Sequence, residues 1–289
     1  MKNLLLLLLF VITGNAIAQK KTTITYFKND TLSLDLDLYL PEKTTRKNLP
    51  LMIFVHGGGF SGGERKNGES FCQYLSQNGY AAATITYTLY AKGKNFGCNG
   101  KLPEKIKSFQ HGATAVWMAT NYFLKNAEKH KIDPEKIFIS GSSAGAEAVL
   151  HAGFWNFKKM NMYPSVNIPE DFRYAGIVSG AGAIMDLNLI TEKNIVPMFF
   201  FHGDKDTVVP YGTAAHHNCS TDASNWLMLF GSKSIYDHTI SLKENAFLYT
   251  FSGGGHEFSG WLFEKNPAPV LSFLNDVVAG KKFNGEVVE

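Results

Sequence analysis

The sequence predicts an α/β fold: a mostly parallel central sheet with helices on both faces and an antiparallel N-terminal hairpin leading into it. Three observations carry this reading. Short apolar runs, such as residues 51–55 and 137–139, alternate with amphipathic helical stretches, as in a sheet covered on both sides. Glycine-rich turns stand where those two runs end, at His56-Gly57-Gly58-Gly59 and at Gly141-Ser142-Ser143-Ala144-Gly145. Near the start, residues 32–40 alternate Leu32, Leu34, Leu36, Leu38 and Leu40 with Ser33, Asp35, Asp37 and Tyr39, the period of a half-buried strand.

In chain order, residues 1–18 read as a secretory leader rather than as core. Met1-Lys2-Asn3 is a short basic start, residues 4–12 are continuously apolar, and Ala16-Ile17-Ala18 supplies small residues for cleavage. That apolar run is too short to span a bilayer, and no other run in the chain is long enough. The protein is therefore expected to be exported, to a periplasm or to the medium, with residues 19–289 as a single domain. Losing the leader removes one Lys and no acid, taking the formal charge from +3 to +2. Scattered basic residues at so even a balance leave no electrostatic footprint for nucleic acid.

Residues 22–27 and 32–40 form the hairpin, joined at Asn29-Asp30, and residues 51–55 form a strand buried on both faces. A helix with Phe71, Tyr74 and Leu75 on one face ends at Asn78-Gly79, and residues 80–87 are again β-prone. Residues 91–100 read as a polar loop. Pro103 stands ahead of a long helix with Phe109, Ala113, Val116 and Trp117 at helical spacing. Asp133-Pro134-Glu135 turns the chain into the next strand, and residues 156–172 have no clear period. Further strands fall at 174–179, 198–201 and 247–251, a closing helix at 269–279, and residues 280–289 read as frayed. Of three cysteines, Cys98 and Cys219 lie in loop-like sequence and are the expected pair in an exported protein. Cys72 sits in an apolar helical pattern, as a small core residue does.

The chemistry centres on Ser143. Strand, G-x-S-x-G and helix make the sharp turn that exposes a serine hydroxyl, which still needs a base to take its proton. Alone, that pentapeptide also describes an ordinary helix cap. Three other parts accompany it. Successive glycines after the strand at 51–55 let the N–H groups of Gly58 and Gly59, with that of Ala144, point at one oxyanion. The stretch 201–210 ends a strand in a polar turn, where Asp206 is the candidate orienting acid. Asp204 there reads as a turn residue bonding its own backbone, and Asp186 is a weaker rival. Gly253-Gly254-Gly255-His256 follows the last strand and offers the imidazole. Other histidines read as bland: His130 and His151 as surface or helix residues, His216 and His217 as members of a polar stretch. No H-E-x-x-H occurs and no cysteine spacing suits a metal, so neither metal nor cofactor is expected.

With the order Ser143, Asp206, His256 and the HGGG and GxSxG elements in place, the sequence resembles α/β-hydrolases of the secreted carboxylesterase/lipase group. The hormone-sensitive-lipase-like and feruloyl-esterase-like branches are the most similar. The resemblance implies Ser143 as nucleophile, His256 as base and Asp206 as its orienter, with Gly58, Gly59 and Ala144 forming the oxyanion hole. It implies a small-molecule or carbohydrate-linked ester as substrate, with acetyl or feruloyl groups as candidates. A serine peptidase for short peptides and a non-catalytic hydrolase-fold binding protein are the alternatives. Two positions depart from the pattern: Ser142 replaces a frequent acidic residue, and Gln110-His111 stands where an Asp often opens the long helix. Phe60, Phe96, Trp155, Phe258 and Trp261 lie near the motifs as candidate pocket walls. Residues 156–172 and 216–245 are candidate pocket-shaping insertions.

Overall fold

A computed structural model describes residues 21–289; the leader expected over residues 1–18 lies outside the described residues. The hairpin is β1 (Lys21–Lys28) and β2 (Ser33–Tyr39), paired antiparallel. In its turn, Asn29 Oδ1 accepts the N–H groups of Thr31 and Leu32, an Asx turn. Leu34, Leu36 and Leu38 of β2 are buried, as the alternation requires, but so are Asp37 and Tyr39 on the opposite face. A carboxylate enters that layer only because it is paired. Arg65 Nε stands 2.9 Å from Asp37 Oδ2, and the Thr23 hydroxyl donates to Oδ1 at 2.6 Å.

From there the chain alternates. β3 (Leu49–Val55), α1 (Glu69–Gln77), β4 (Ala81–Ile85) and α2 (Leu102–Lys125) come first. Next are the short α3 (Ala127–His130), β5 (Ile132–Ser142), α4 (Ala144–Phe154), the short α5 (Phe157–Met160) and β6 (Gly176–Gly180). β7 (Ala183–Ile184), β8 (Met198–Gly203), β9 (Thr213–Ala215), β10 (Met228–Gly231) and α6 (Ser232–Ser241) follow. β11 (Ala246–Phe251), α7 (Trp261–Glu264), α8 (Ala268–Val278) and β12 (Asn284–Val288) close the chain. The main sheet has nine strands in the order β1-β2-β4-β3-β5-β6-β8-β11-β12. Every neighbouring pair from β4 onward is parallel.

Helices α2 and α4 cover one face, and α1 and α8 the other, each over its own apolar cluster. β8 displays both: Phe200 enters the first cluster, Phe199 and Phe201 the second. Burying one such side chain stabilises the fold by roughly 1.5–3 kcal/mol. Among the described residues, no helix is long and apolar enough to cross a membrane.

Two local readings are corrected. Asp133-Pro134-Glu135 lies inside β5 rather than before it. The pairing with β3 shifts register there, from Leu49 opposite Ile132 to Leu51 opposite Ile137. A bulge tolerates a proline that has no N–H for the ladder. Residues 280–289 are not simply frayed, since β12 pairs parallel along β11 from Ala246↔Asn284 to Thr250↔Val288. β12 is held by backbone bonds and is mostly exposed, so its sequence carries no apolar pattern. It covers what would otherwise be an open sheet edge. β9, β10 and helix α6 occupy the long stretch after β8, and β10 pairs with both β9 and the earlier β7 to make a small second sheet.

Candidate active site

The sharp turn between β5 and α4 is built by sterics. Ser143 adopts φ 53° and ψ −125°, a region that L-residues rarely enter. Its N–H donates to Gly180 O at 2.8 Å on the neighbouring strand, which fixes the turn. A Cβ on Gly141 would fall 2.3 Å from the Gly145 carbonyl carbon, and one on Gly145 would fall 2.1 Å from Val55 O. Only glycine lets helix and strands close that tightly.

At this turn the Ser143 hydroxyl stands 2.8 Å from His256 Nε2, and His256 Nδ1 stands 2.7 Å from Asp206 Oδ2. A carboxylate only accepts, so Nδ1 carries the proton and Nε2 is free to take the one from Ser143. Asp206 follows β8 and His256 follows β11, the two strands beyond β6, so the sheet order brings all three side chains to one edge. The Asp206 carboxylate is buried and fully engaged. Its Oδ1 accepts the N–H groups of Val208 at 2.7 Å and Val209 at 3.0 Å. Its Oδ2 also faces His202 Nε2 at 3.1 Å. Burial alone would raise this carboxyl, but the hydrogen bonds from His202 and His256 outweigh it and hold the group well below the ordinary carboxylate range.

Gly57, Gly58, Gly59, Ser143 and Ala144 line a cleft of about 580 Å³ over the serine. Among the described residues, the N–H groups of Gly58, Gly59 and Ala144 have no partner within the protein. Gly58 has φ +118°, and a Cβ there would strike Gly62 O at 2.3 Å. His56 of the same loop is buried: its Nδ1 lies 2.7 Å from Gly57 O and its ring packs on Tyr87. It shapes the loop rather than facing the cleft.

Of the rival acids, Asp204 accepts the Gly253 N–H at 2.8 Å, bracing the histidine loop instead of bonding its own backbone. Asp186 caps a short turn through the Asn188 N–H. The aromatic expectations divide. Phe96 lines the cleft, whereas Phe60 is wholly core and Trp155 lines a separate cavity beside Trp117 and Phe157. Phe258 stacks on Phe251, and Trp261 is exposed. Packing takes those rings because the sheet faces beside the motifs are themselves filled with Phe.

The histidines read as bland divide as well. His130 ends α3 and His151 lies in α4, helix residues as expected, but both are buried, and His151 is stacked on Phe109 with its Nδ1 2.7 Å from Glu147 O. His216 and His217 both line the cleft. His216 Nε2 meets Glu147 Oε1 at 3.3 Å, and both side chains are buried. Burial raises Glu147 well above the carboxylate range, while burial and the neighbouring His217 push His216 well below the usual imidazole value. The spacing of Glu147 four residues after Ser143 puts it one helical turn along α4, which is the one signal that could have marked it.

Comparison with known proteins follows the same lines. A family model described as BD-FAE matches residues 36–194, more than half of the chain. The chain belongs to the BD-FAE family. The BD-FAE match includes Gly58, Gly59, Ser143 and Ala144; Asp206 and His256 lie beyond it. A fumonisin B1 esterase of Sphingopyxis macrogoltabida is 29% identical over 118 residues, covering 40% of this chain and 22% of that protein. A probable isoprenylcysteine alpha-carbonyl methylesterase of Arabidopsis thaliana is 31% identical over 214 residues, covering 61% and 42%. The chain thus spans under half the length of the curated relatives it matches. Among solved structures, the propionate-bound esterase Est2 of Thermogutta terrifontis superposes with a TM-score of 0.60 at 17% identity, covering 90% of this chain and 93% of that one. This BD-FAE member therefore has the α/β-hydrolase fold.

Proposed function

We propose that this protein is a serine carboxylic-ester hydrolase. Ser143 Oγ attacks the ester carbonyl carbon while its proton passes to His256 Nε2, and Asp206 stabilises the imidazolium that forms. The tetrahedral oxyanion accepts from the N–H groups of Gly58, Gly59 and Ala144. As the ester C–O bond breaks, the leaving alcohol takes the proton from Nε2 and an acyl-serine remains. Water then attacks, giving its proton to His256, and the serine departs with that proton as the acid is released. The observation that carries this reading is the unbroken relay of 2.8 Å and 2.7 Å from Ser143 through His256 to Asp206. The esterase names of the relatives support it.

Esters on carbohydrate, acetyl or feruloyl, are the substrates we favour within this class, because the cleft over Ser143 is about 580 Å³ and residues 1–18 carry the pattern of an export leader. The leader over residues 1–18 is proposed to direct export, to a periplasm or to the medium. A disulfide between Cys98 and Cys219 is consistent with an oxidising destination. The deciding experiment is turnover of p-nitrophenyl acetate and labelling by a fluorophosphonate. Both are expected for the native protein and absent for Ser143→Ala, whose circular dichroism should be unchanged. Equal turnover by the variant would remove the assignment.

A further inference from the structure

The side of the cleft facing the serine is held with more hardware than a passive wall needs. His217 and Asn218 are consecutive non-glycine residues with left-handed backbones, φ 57° and 51°. Such conformations cost energy and persist only where neighbours impose them. The restraints are visible. The His217 N–H donates to Val208 O at 2.8 Å, tying the turn to the loop that carries Asp206. Cys219, two residues on, is bonded to Cys98. The buried Asn225 Nδ2 donates to Phe96 O and Gly97 O, its N–H donates to Cys98 O, and its own carbonyl accepts from Lys105 Nζ at 2.9 Å. Two distant loops are thereby locked together, and they present Phe96 and His217 to the cleft, ring centroids 5.8 Å apart.

Among the described residues, neither ring nitrogen of the half-buried His217 has a hydrogen-bond partner. We propose that His217, with Phe96 beside it, is a recognition subsite for a neutral hydroxyl on the substrate, placed by a disulfide-locked turn; this rests on the esterase reading above. A neutral imidazole offers one donor and one acceptor, the pair that a hydroxyl complements. Burial, with Lys105 and His256 nearby, lowers His217 to about 4, so it stays neutral at ordinary pH. A cationic substrate group would be repelled by the field of the buried Lys105, which already acts on His217, and an anionic one would meet Glu264 in the cleft lining.

Two matched pairs of esters test this. Methyl 4-hydroxyphenylacetate against methyl 4-methylphenylacetate places the hydroxyl on the acyl side. 2-Hydroxycyclohexyl against 2-methylcyclohexyl acetate places it on the alcohol side. The native enzyme should prefer the hydroxylated member of one pair, which assigns the side. In His217→Ala that ratio of kcat/KM should fall by about tenfold, the size expected for one neutral hydrogen bond. His217→Gln, which keeps a donor and an acceptor, should regain part of it. An unchanged thermal midpoint would separate this from unfolding, and a ratio is insensitive to the fraction of active enzyme. No preference in either pair, or a ratio unchanged in His217→Ala, overturns the subsite alone. A native protein inert toward all four esters and p-nitrophenyl acetate removes the esterase reading and the subsite with it.

Discussion

His202 Nε2 lies 3.1 Å from Asp206 Oδ2, the same oxygen that His256 Nδ1 approaches at 2.7 Å. His202 Nδ1 sits 2.8 Å from Ser232 Oγ. With Nε2–H given to the carboxylate and to Val209 O, Nδ1 accepts from the serine. His202 is wholly buried. In the proposed mechanism it would act through Asp206, by helping to keep that carboxylate ionised and aimed.

Replacing His202 by Leu removes one donor from a charged acceptor, which is worth about 1.5–3 kcal/mol. We expect kcat/KM at neutral pH to fall by roughly 10- to 150-fold. The Asp206 carboxyl, titrated directly by carbon-13 NMR, should also shift upward, since it loses a group that lowers its pKa. His202→Gln should restore part of both. A rate loss with an unmoved carboxyl titration would make the role purely one of packing.

Gly145→Ala tests the turn. Its Cβ would lie 2.1 Å from Val55 O, a backbone atom with no freedom to retreat. Denaturant titration should show a loss of about 2–3 kcal/mol or more, the upper range for overpacking.

The Cys98–Cys219 bridge closes 121 residues of sequence. Substituting both cysteines by Ser should lower stability by about 2–4 kcal/mol. The same change should raise KM more than it lowers kcat, because Phe96 and His217 lose their frame while Ser143 and His256 keep theirs. Steady-state kinetics with and without reductant on the native protein should reproduce the direction.

Stability should also depend on pH through His151. Burial lowers its pKa from 6.5 to about 4. Between those values the unfolded chain binds the proton that the folded one refuses, so folding is favoured above pH 6.5 and that contribution fades as pH falls toward 4. Over the range from pH 7 to 4 the effect is about 3 kcal/mol. Melts of His151→Gln between pH 7 and 4 should be flatter than those of the native protein by that amount.

Much of the fold and of the site is legible in the residues themselves, and the reasons are local. Ser143, Gly58 and Gly59 stand out because tight turns demand glycine at fixed offsets. Asp206 and His256 are legible from their places after successive strands. What escapes a reading of the chain is set by long-range packing. Glu147 and His216 have no shared motif and meet only because α4 faces a turn some seventy residues later. His202 looks like the end of an apolar strand until Asp206 folds back over it. β12 is short and exposed, and its two valines, Val287 and Val288, are too few to set an apolar alternation; the free edge of β11 is what recruits it.

The backbone at Ser143 has a further consequence for how such a protein can be altered. A glycine there would relax the unfavourable φ of 53°, relieving strain on the order of 1–3 kcal/mol. Ser143→Gly should therefore melt higher than the native protein while turning over nothing. A laboratory screen that rewards heat tolerance alone would drift toward inert variants, and thermostabilisation of this protein has to be selected together with turnover.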